Sequence, residues 1–231
     1  MCGRFTQQRP TAELAELFRA EPLVEDTGAR FNVAPSQGVI AVVQPPDDRR
    51  LLTTFRWGLI PSWAQDPKIG YRTINARAET VFTSPVFRTS IRKKRCLIPV
   101  DSFYEWRRTE DRPKQPYAIR RRDGAPLALA GLWSSWKDPL SEEWLRSCSI
   151  VTTTPNELMA RIHDRMPLIL APGAWETWLD PTLEDVAELR GLLVPSPAAD
   201  LEAYPVSTLV NSTRNEGAAL IERIAGEILT A

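Results

Sequence analysis

The sequence predicts an α+β fold in a single domain built around a strand-rich core, and three observations lead there. Stretches rich in β-branched and aromatic residues recur along the chain, from "GVIAVVQPPDDRRLLTTFRWGLI" to "RSCSIVTTTP", punctuated by Gly and Pro. Helical periodicity is confined to short segments near the start and in the final third. No repeat, low-complexity segment or long linker divides the 231 residues, a length that supports a substantial hydrophobic core.

The elements follow in order. "TAELAELFRA" places Leu14, Leu17 and Phe18 at helical spacing behind Thr11 as N-cap, with Glu13 and Glu16 early in the helix. Two strands, Val39 to Val43 and Leu51 to Trp57, flank a polar Pro-Pro-Asp-Asp turn and form a hairpin. "RCLIPVDSFYEW", "PYAIRRRDGAPLALAGLW" and "RSCSIVTTTP" supply further strands, and Asp123-Gly124 marks a second hairpin turn. A helix begins at Asn156, and "APGAWETWL" and "TLEDVAELRGLL" add others. The last residues, "GAALIERIAGEILTA", read as an amphipathic helix, so residues 218–231 form a helical tail packed on the domain.

Composition narrows the function. With 29 basic and 29 acidic residues the formal charge is zero, so any nucleic-acid binding rests on a local patch. The runs at Arg92 to Arg95 and Arg120 to Arg122 read as solvated surface. A single histidine, His163, excludes a multi-histidine metal site, and Cys2, Cys96 and Cys148 lack the spacing of a zinc site or a disulfide framework. No metal or cofactor is expected. The absence of a long apolar run or a secretory h-region gives the expectation of a cytoplasmic protein with reduced thiols and no membrane partner.

Cys2 stands directly behind Met1, and an aminopeptidase would leave it as the first residue. An N-terminal amine has a pKa of about 7.7–8.0 against about 10.4 for lysine, so far more of it is neutral near pH 7.4. The thiol adds a second nucleophile, whose thiolate fraction nearby positive charge or hydrogen-bond donors would raise. An aldehyde meeting this 1,2-aminothiol forms a Schiff base, which the sulfur then closes to a thiazolidine. Position alone leaves open whether Cys2 is this nucleophile or an incidental small residue.

Seven motifs occur in order: "MCGRF", "FNVAPSQ", "WGLIPSWA", "INARAET", "RCLIPVDSFYEW", "LAGLW" and "HDRMPLIL". Together they resemble the SOS-response-associated peptidase-like (SRAP) family over residues 2–217. Ser102 departs from the glycine common there and touches none of the proposed chemistry. The resemblance implies a barrel-like mixed-sheet core flanked by short helices, with a DNA-binding cleft. It also implies a monomeric shield for abasic sites in single-stranded DNA, nucleoid-associated when bound, that cross-links the ring-opened sugar aldehyde through Cys2. Autoproteolytic loss of Met1, cross-link reversal and slight AP-lyase activity come with that reading.

By the same resemblance Asn75, Glu105 and His163 surround Cys2. Asn75 offers both a donor and an acceptor to orient the amine or carbonyl of Cys2. Glu105, in the apolar setting "SFYEW", would shuttle protons, unless it is an exposed strand glutamate. His163 would favour ring opening and return protons on reversal, unless it is structural. Arg4, Arg77 and Arg165 are assigned to phosphate contacts and Trp63 and Trp106 to base stacking, while Pro35 and Ser36 shape the loop near Cys2. Two other classes remain open: a cysteine peptidase or amidohydrolase using Cys2, His163 and Asn75, and a noncovalent single-strand-binding module.

Overall fold

The computed structural model describes residues 2–47, 49–109 and 112–230. In chain order the elements are β1 (Phe5–Gln7), α1 (Thr11–Phe18), β2 (Glu21–Pro22), β3 (Arg30–Val33), β4 (Gly38–Val43), β5 (Leu51–Trp57), β6 (Asn75–Arg77) and α2 (Ser90–Lys93). Then come β7 (Arg95–Val100), β8 (Ser102–Thr109), β9 (Arg112–Arg121), β10 (Leu127–Lys137), β11 (Trp144–Thr153) and α3 (Glu157–Ala160). The chain finishes with β12 (Met166–Pro167), α4 (Trp175–Leu179), α5 (Val186–Gly191) and β13 (Leu201–Pro205). The expected α+β domain is present.

Five strands close a barrel in the order β11-β10-β7-β4-β5 and back to β11. The expected hairpin of β4 and β5 runs antiparallel from Gly38 opposite Arg56 to Val43 opposite Leu51. Parallel pairing of Ser147 with Arg56 and of Cys148 with Trp57 joins the last strand to the first. Closure matters because a barrel strand has no open edge at which another chain can pair. The strands bury both faces, which is why they read as unbroken apolar runs. From β4, Val39, Ala41 and Val43 enter one core with Phe55, Ile98 and Leu129. Ile40 and Val42 enter a second core beneath α1, α2, α4 and α5, with Phe18, Ile91, Trp178 and Leu189.

A second sheet, β13-β9-β8-β1-β3, packs against the barrel through Phe5 and Phe103. Its β1 is held on both sides, Phe5 lying opposite Val33 in β3 and Phe103 in β8. Gln7, at the end of β1, stitches the two sheets together. Strands β4 and β7 share one paired position, Val42 with Leu97, and then diverge. The buried carboxamide of Gln7 fills the gap: Nε2 donates to Ile40 O at 2.9 Å and Pro99 O at 2.8 Å, and Oε1 accepts from Ile40 N at 3.1 Å.

Four local expectations need correction. Thr11 is the first helical residue of α1, and Pro10, whose fixed φ of −56° suits that place, occupies the N-cap. Asp123-Gly124 does form a tight turn, with Gly124 at φ 75°, but it joins strands of different sheets, because β9 pairs β8 and β13 whereas β10 pairs β7 and β11. The tail is no helix: after a single 3-10 turn at Ala218–Leu220 it runs as a strap along β13, with bridges from Arg223 to Val206 and from Leu229 to Ala203. Burial of Leu229 and the positive φ of Gly217 and Gly226 favour this course over a local helix.

Finally, Arg95 is buried rather than solvated. Its guanidinium spans the carbonyls of Ile91 (2.8 Å), Arg92 (2.6 Å), Trp178 (2.6 Å), Leu183 (3.1 Å) and Asp180, tying the ends of α2 and α4 to β7. Burial pulls its pKa down to about 10, with Asp180 and Glu184 opposing. The arginines at 120 and 121 match the surface reading, paired with Glu202 and Asp123.

Replacing Gln7 with Leu leaves three buried backbone groups without their partner, each costing about 1–3 kcal/mol. The expected loss of stability is therefore about 3 kcal/mol or more, read as a fall in the urea midpoint. A change below about 1 kcal/mol would remove Gln7 from the inter-sheet seam.

Candidate active site

Strand β1 delivers Cys2. Arg4 O accepts from Tyr104 N at 2.9 Å, and the same register continued toward the N-terminus sets Gly3 opposite Glu105 and Cys2 opposite Trp106 on β8. Cys2 is fully buried in the core that also holds Phe5, Trp57 and Met159. Burial pushes its thiol above the ordinary range, the Glu105 charge pushes it further, and a backbone hydrogen bond from Arg4 opposes both. Burial and the Glu105 charge together disfavour the thiolate. Met1, and with it the maturation step, lies outside the described residues.

Asn75 reaches Cys2 from the other side. The indole N–H of Trp57 donates to Ile74 O at 2.9 Å, and Trp57 itself packs on Phe5 with ring centroids 4.8 Å apart. This fixes the start of β6, which pairs in parallel with β11 through Asn75 and Ile150. Asn75 Nδ2 then donates to Cys2 O at 2.9 Å. Its Oδ1 is buried and accepts no hydrogen bond among the described residues, so a hydrogen-bond acceptor is left near the first residues of the chain. Glu105 is 2% exposed, which dismisses the exposed-strand alternative and places a carboxyl group within electrostatic reach of the thiol.

His163 follows α3, whose N-cap Asn156 accepts from Met159 N at 2.9 Å while the His163 amide donates to Met159 O at 2.8 Å. Its Nδ1 accepts from the Arg165 amide at 3.0 Å and lies 2.8 Å from Asp164 Oδ1, a contact that becomes an ion pair in the protonated ring. The ring is partly exposed, in the wall of a cleft of about 460 Å³ that also contains Trp106, Arg107, Arg108, Lys114 and Arg161. A larger open hollow of about 640 Å³, walled by Arg30, Gln37 and Glu216, contains none of the residues assigned to the chemistry.

The residues assigned to DNA differ in how they are held. Arg77 is exposed on β6, and its charge, together with that of Arg165, lowers the pKa of Glu79 after the Arg165 hydrogen bond. Arg165 grips Glu79 through both carboxylate oxygens and donates to Thr152 O at 2.7 Å. Arg4 donates to Asn32 Oδ1 at 2.7 Å and Val210 O at 2.8 Å and lies over the Trp106 ring at 5.9 Å. Trp106 is half-buried and donates to Asn211 Oδ1 at 2.7 Å, whereas Trp63 is 56% exposed with a face available for stacking. Pro35 and Ser36 turn between β3 and β4, where Ser36, at φ 71°, donates its amide to Trp57 O at 2.8 Å. The sequence reading missed Arg107, Arg108, Lys114 and Arg161, although "EWRRTEDRPK" and "MARIHDR" carry basic residues beside two recognised motifs.

The family model described as SOS response associated peptidase (SRAP) matches residues 1–213. The chain belongs to this family. Among SRAP relatives, abasic site processing protein YoqW of Bacillus subtilis (strain 168) is 45% identical over 224 residues, covering 96% of this chain and 99% of YoqW. Abasic site processing protein YedK of Escherichia coli (strain K12) is 31% identical over 231 residues, covering 97% of this chain and 100% of YedK. A crystal structure of a protein from Bacteroides thetaiotaomicron superimposes with a TM-score of 0.85 at 28% identity, covering 97% of this chain and 100% of that one. The SRAP fold thus accounts for the closed barrel and the short helices around it.

Burial raises all three thiols, at Cys2, Cys96 and Cys148, above the free value of 9.0. A folded thiol that keeps its proton where the unfolded one loses it contributes stability that is complete below about pH 9 and lost progressively as pH rises from there toward the folded pKa. Urea unfolding between pH 8 and 10.5 should show a decline steepening to about 1.4 kcal/mol per pH unit for each thiol. In the Cys96→Ala/Cys148→Ala double variant about two thirds of that slope should vanish, and an unchanged slope would exclude the thiols as its source.

Proposed function

We propose that this protein captures abasic sites in single-stranded DNA as a covalent adduct of Cys2. The observation that carries the reading is the capture of Cys2 itself: a buried thiol beside the Glu105 carboxyl group, with the carbonyl of the same residue held by Asn75. It is supported by the names of the SRAP relatives YoqW and YedK, both abasic site processing proteins. The chemistry begins once Met1 is removed, by the protein itself or by an aminopeptidase. His163 donates a proton to the sugar ring oxygen and favours the open aldehyde. The freed amine adds to C1′ and one water leaves, giving an imine, with Asn75 Oδ1 as the acceptor that orients the nitrogen.

Ring closure follows from the state of the thiol. Because Cys2 is held neutral, the sulfur is a poor first nucleophile, and the amine attacks first. Glu105 then takes the thiol proton as the sulfur adds to the imine carbon, and returns it to the nitrogen. The net change is loss of one water, and the product is a thiazolidine. β-Elimination from the open imine is a side path that ring closure suppresses, and the reverse sequence releases the strand. The same neutral thiol argues against a general cysteine peptidase, whose first step needs a thiolate.

Intact mass spectrometry tests the proposal. After incubation with an oligonucleotide carrying one abasic site, the expected mass is that of the protein lacking Met1, plus the oligonucleotide, minus one water. Retained Met1 with no adduct would refute it. The Cys2→Ser variant should still be trapped as an imine by borohydride but give little adduct without it. Equal adduct stability in serine and cysteine forms rules out ring closure. For His163→Ala, adduct formation or reversal should slow by about 100-fold or more, the scale of general acid catalysis, and unchanged rates assign the histidine a structural role.

A further inference from the structure

The basic cleft beside His163 receives an acidic residue from the far end of the chain. Glu227, on the C-terminal strap, accepts from Arg107 of β8 through Oε2 at 3.0 Å and from Arg161, just after α3, through Oε1 at 2.7 Å. The strap is pinned on both sides of this contact. Ile224 N donates to Pro205 O at 3.0 Å, and Leu229 exchanges both backbone hydrogen bonds with Ala203, at 2.9 and 2.8 Å. Between them Gly226, at φ 151°, crosses Pro205 so closely that a Cβ would stand 2.8 Å from its ring. Arg161 also donates to Thr230 O at 3.2 Å. Glu227 is therefore presented to the two guanidiniums from a fixed backbone.

The arrangement suits exchange. Arg107 and Glu227 keep 32% and 54% of their side-chain surface in solvent, so the pair is open to a competing anion. A carboxylate shared between two guanidiniums takes the place that the non-bridging oxygens of a phosphate diester would take. Arg108 and Lys114, in the same cleft wall, extend the positive surface.

We propose that Arg107 and Arg161 form a phosphate subsite on the His163 side of the reaction centre, and that Glu227 of the strap is its built-in competitor, displaced when a strand enters. The proposal rests on the single-stranded DNA reading above. An undamaged strand must expel the carboxylate for each visit and so leaves readily, whereas a strand with an abasic site is retained by the covalent step.

Fluorescence anisotropy with a short labelled oligothymidylate tests this. Glu227→Gln keeps the shape of the side chain and removes its charge; two exposed pairs of about 0.2–1 kcal/mol each correspond to about 2- to 30-fold tighter binding at low salt. The slope of log K against log salt should steepen by about 0.7 for each phosphate contact no longer offset by Glu227. Glu227→Ala should shift binding in the same direction, and Arg108→Ala/Lys114→Ala should weaken it and flatten the slope. Equal or weaker binding by both Glu227 variants, with thermal melting matching the parent, overturns the proposal. Repeating the series with an abasic oligonucleotide separates the two readings. A rise in oligothymidylate affinity without any Cys2 adduct keeps the subsite and rejects covalent capture; a normal adduct with no change in oligothymidylate affinity does the reverse. Failure of every variant to bind either strand overturns both.

Discussion

A chain terminus ordinarily frays, because nothing pairs with its outermost residues. In this protein the first strand is an interior one, flanked by β3 and β8 and joined to the barrel through the carboxamide of Gln7. The position of Cys2 follows from that constraint. With Phe5 against Trp57 and the Trp57 indole holding Ile74, one line of contacts runs from the N-terminal strand to the Asn75 that grips Cys2. The candidate site draws on four separate stretches of sequence, the start of β1, β6, β8 and the loop after α3, and the barrel serves as the rigid frame that carries them.

Burying the site has a chemical consequence. A thiol enclosed by apolar side chains and facing a carboxylate loses its reactivity toward chance electrophiles, because its reactive form is the one burial disfavours. The state of the thiol is thus set by its environment rather than by the residue type. Positive charge is distributed in the same spirit. Arg4, Arg107, Arg161 and Arg165 are each balanced by a carboxylate or carbonyl of the protein, consistent with a chain whose total charge is zero.

Much of this was legible beforehand. The β4–β5 hairpin, the helix after Asn156 and the strand-rich core declared themselves through alternation and turn residues, and the ordered motifs singled out Asn75 and Glu105, which the fold sets beside Cys2, and His163, which stands in the wall of the basic cleft. What the sequence could not convey was tertiary choice. Asp123-Gly124 signals a turn but not which sheet receives the next strand, and the amphipathic tail had a helical rhythm that the offer of partners along β13 overrode. Arg95 looked like one more residue of a solvated basic run, since nothing local reveals that the carbonyl ends of α2 and α4 converge on it. The thiol's state likewise depends on depth, a property that no neighbouring residue encodes.

The interior placement of β1 also carries a consequence for the birth of the chain. Its partner β8 is made about a hundred residues later, and at ribosomal speeds of about 5–20 residues per second this leaves the N-terminus without its second neighbour for about 5–20 s. During that interval Cys2 is as accessible as any nascent terminus, and afterwards it is enclosed. Folding thus divides the life of this side chain into an early period in water and a later one inside the core.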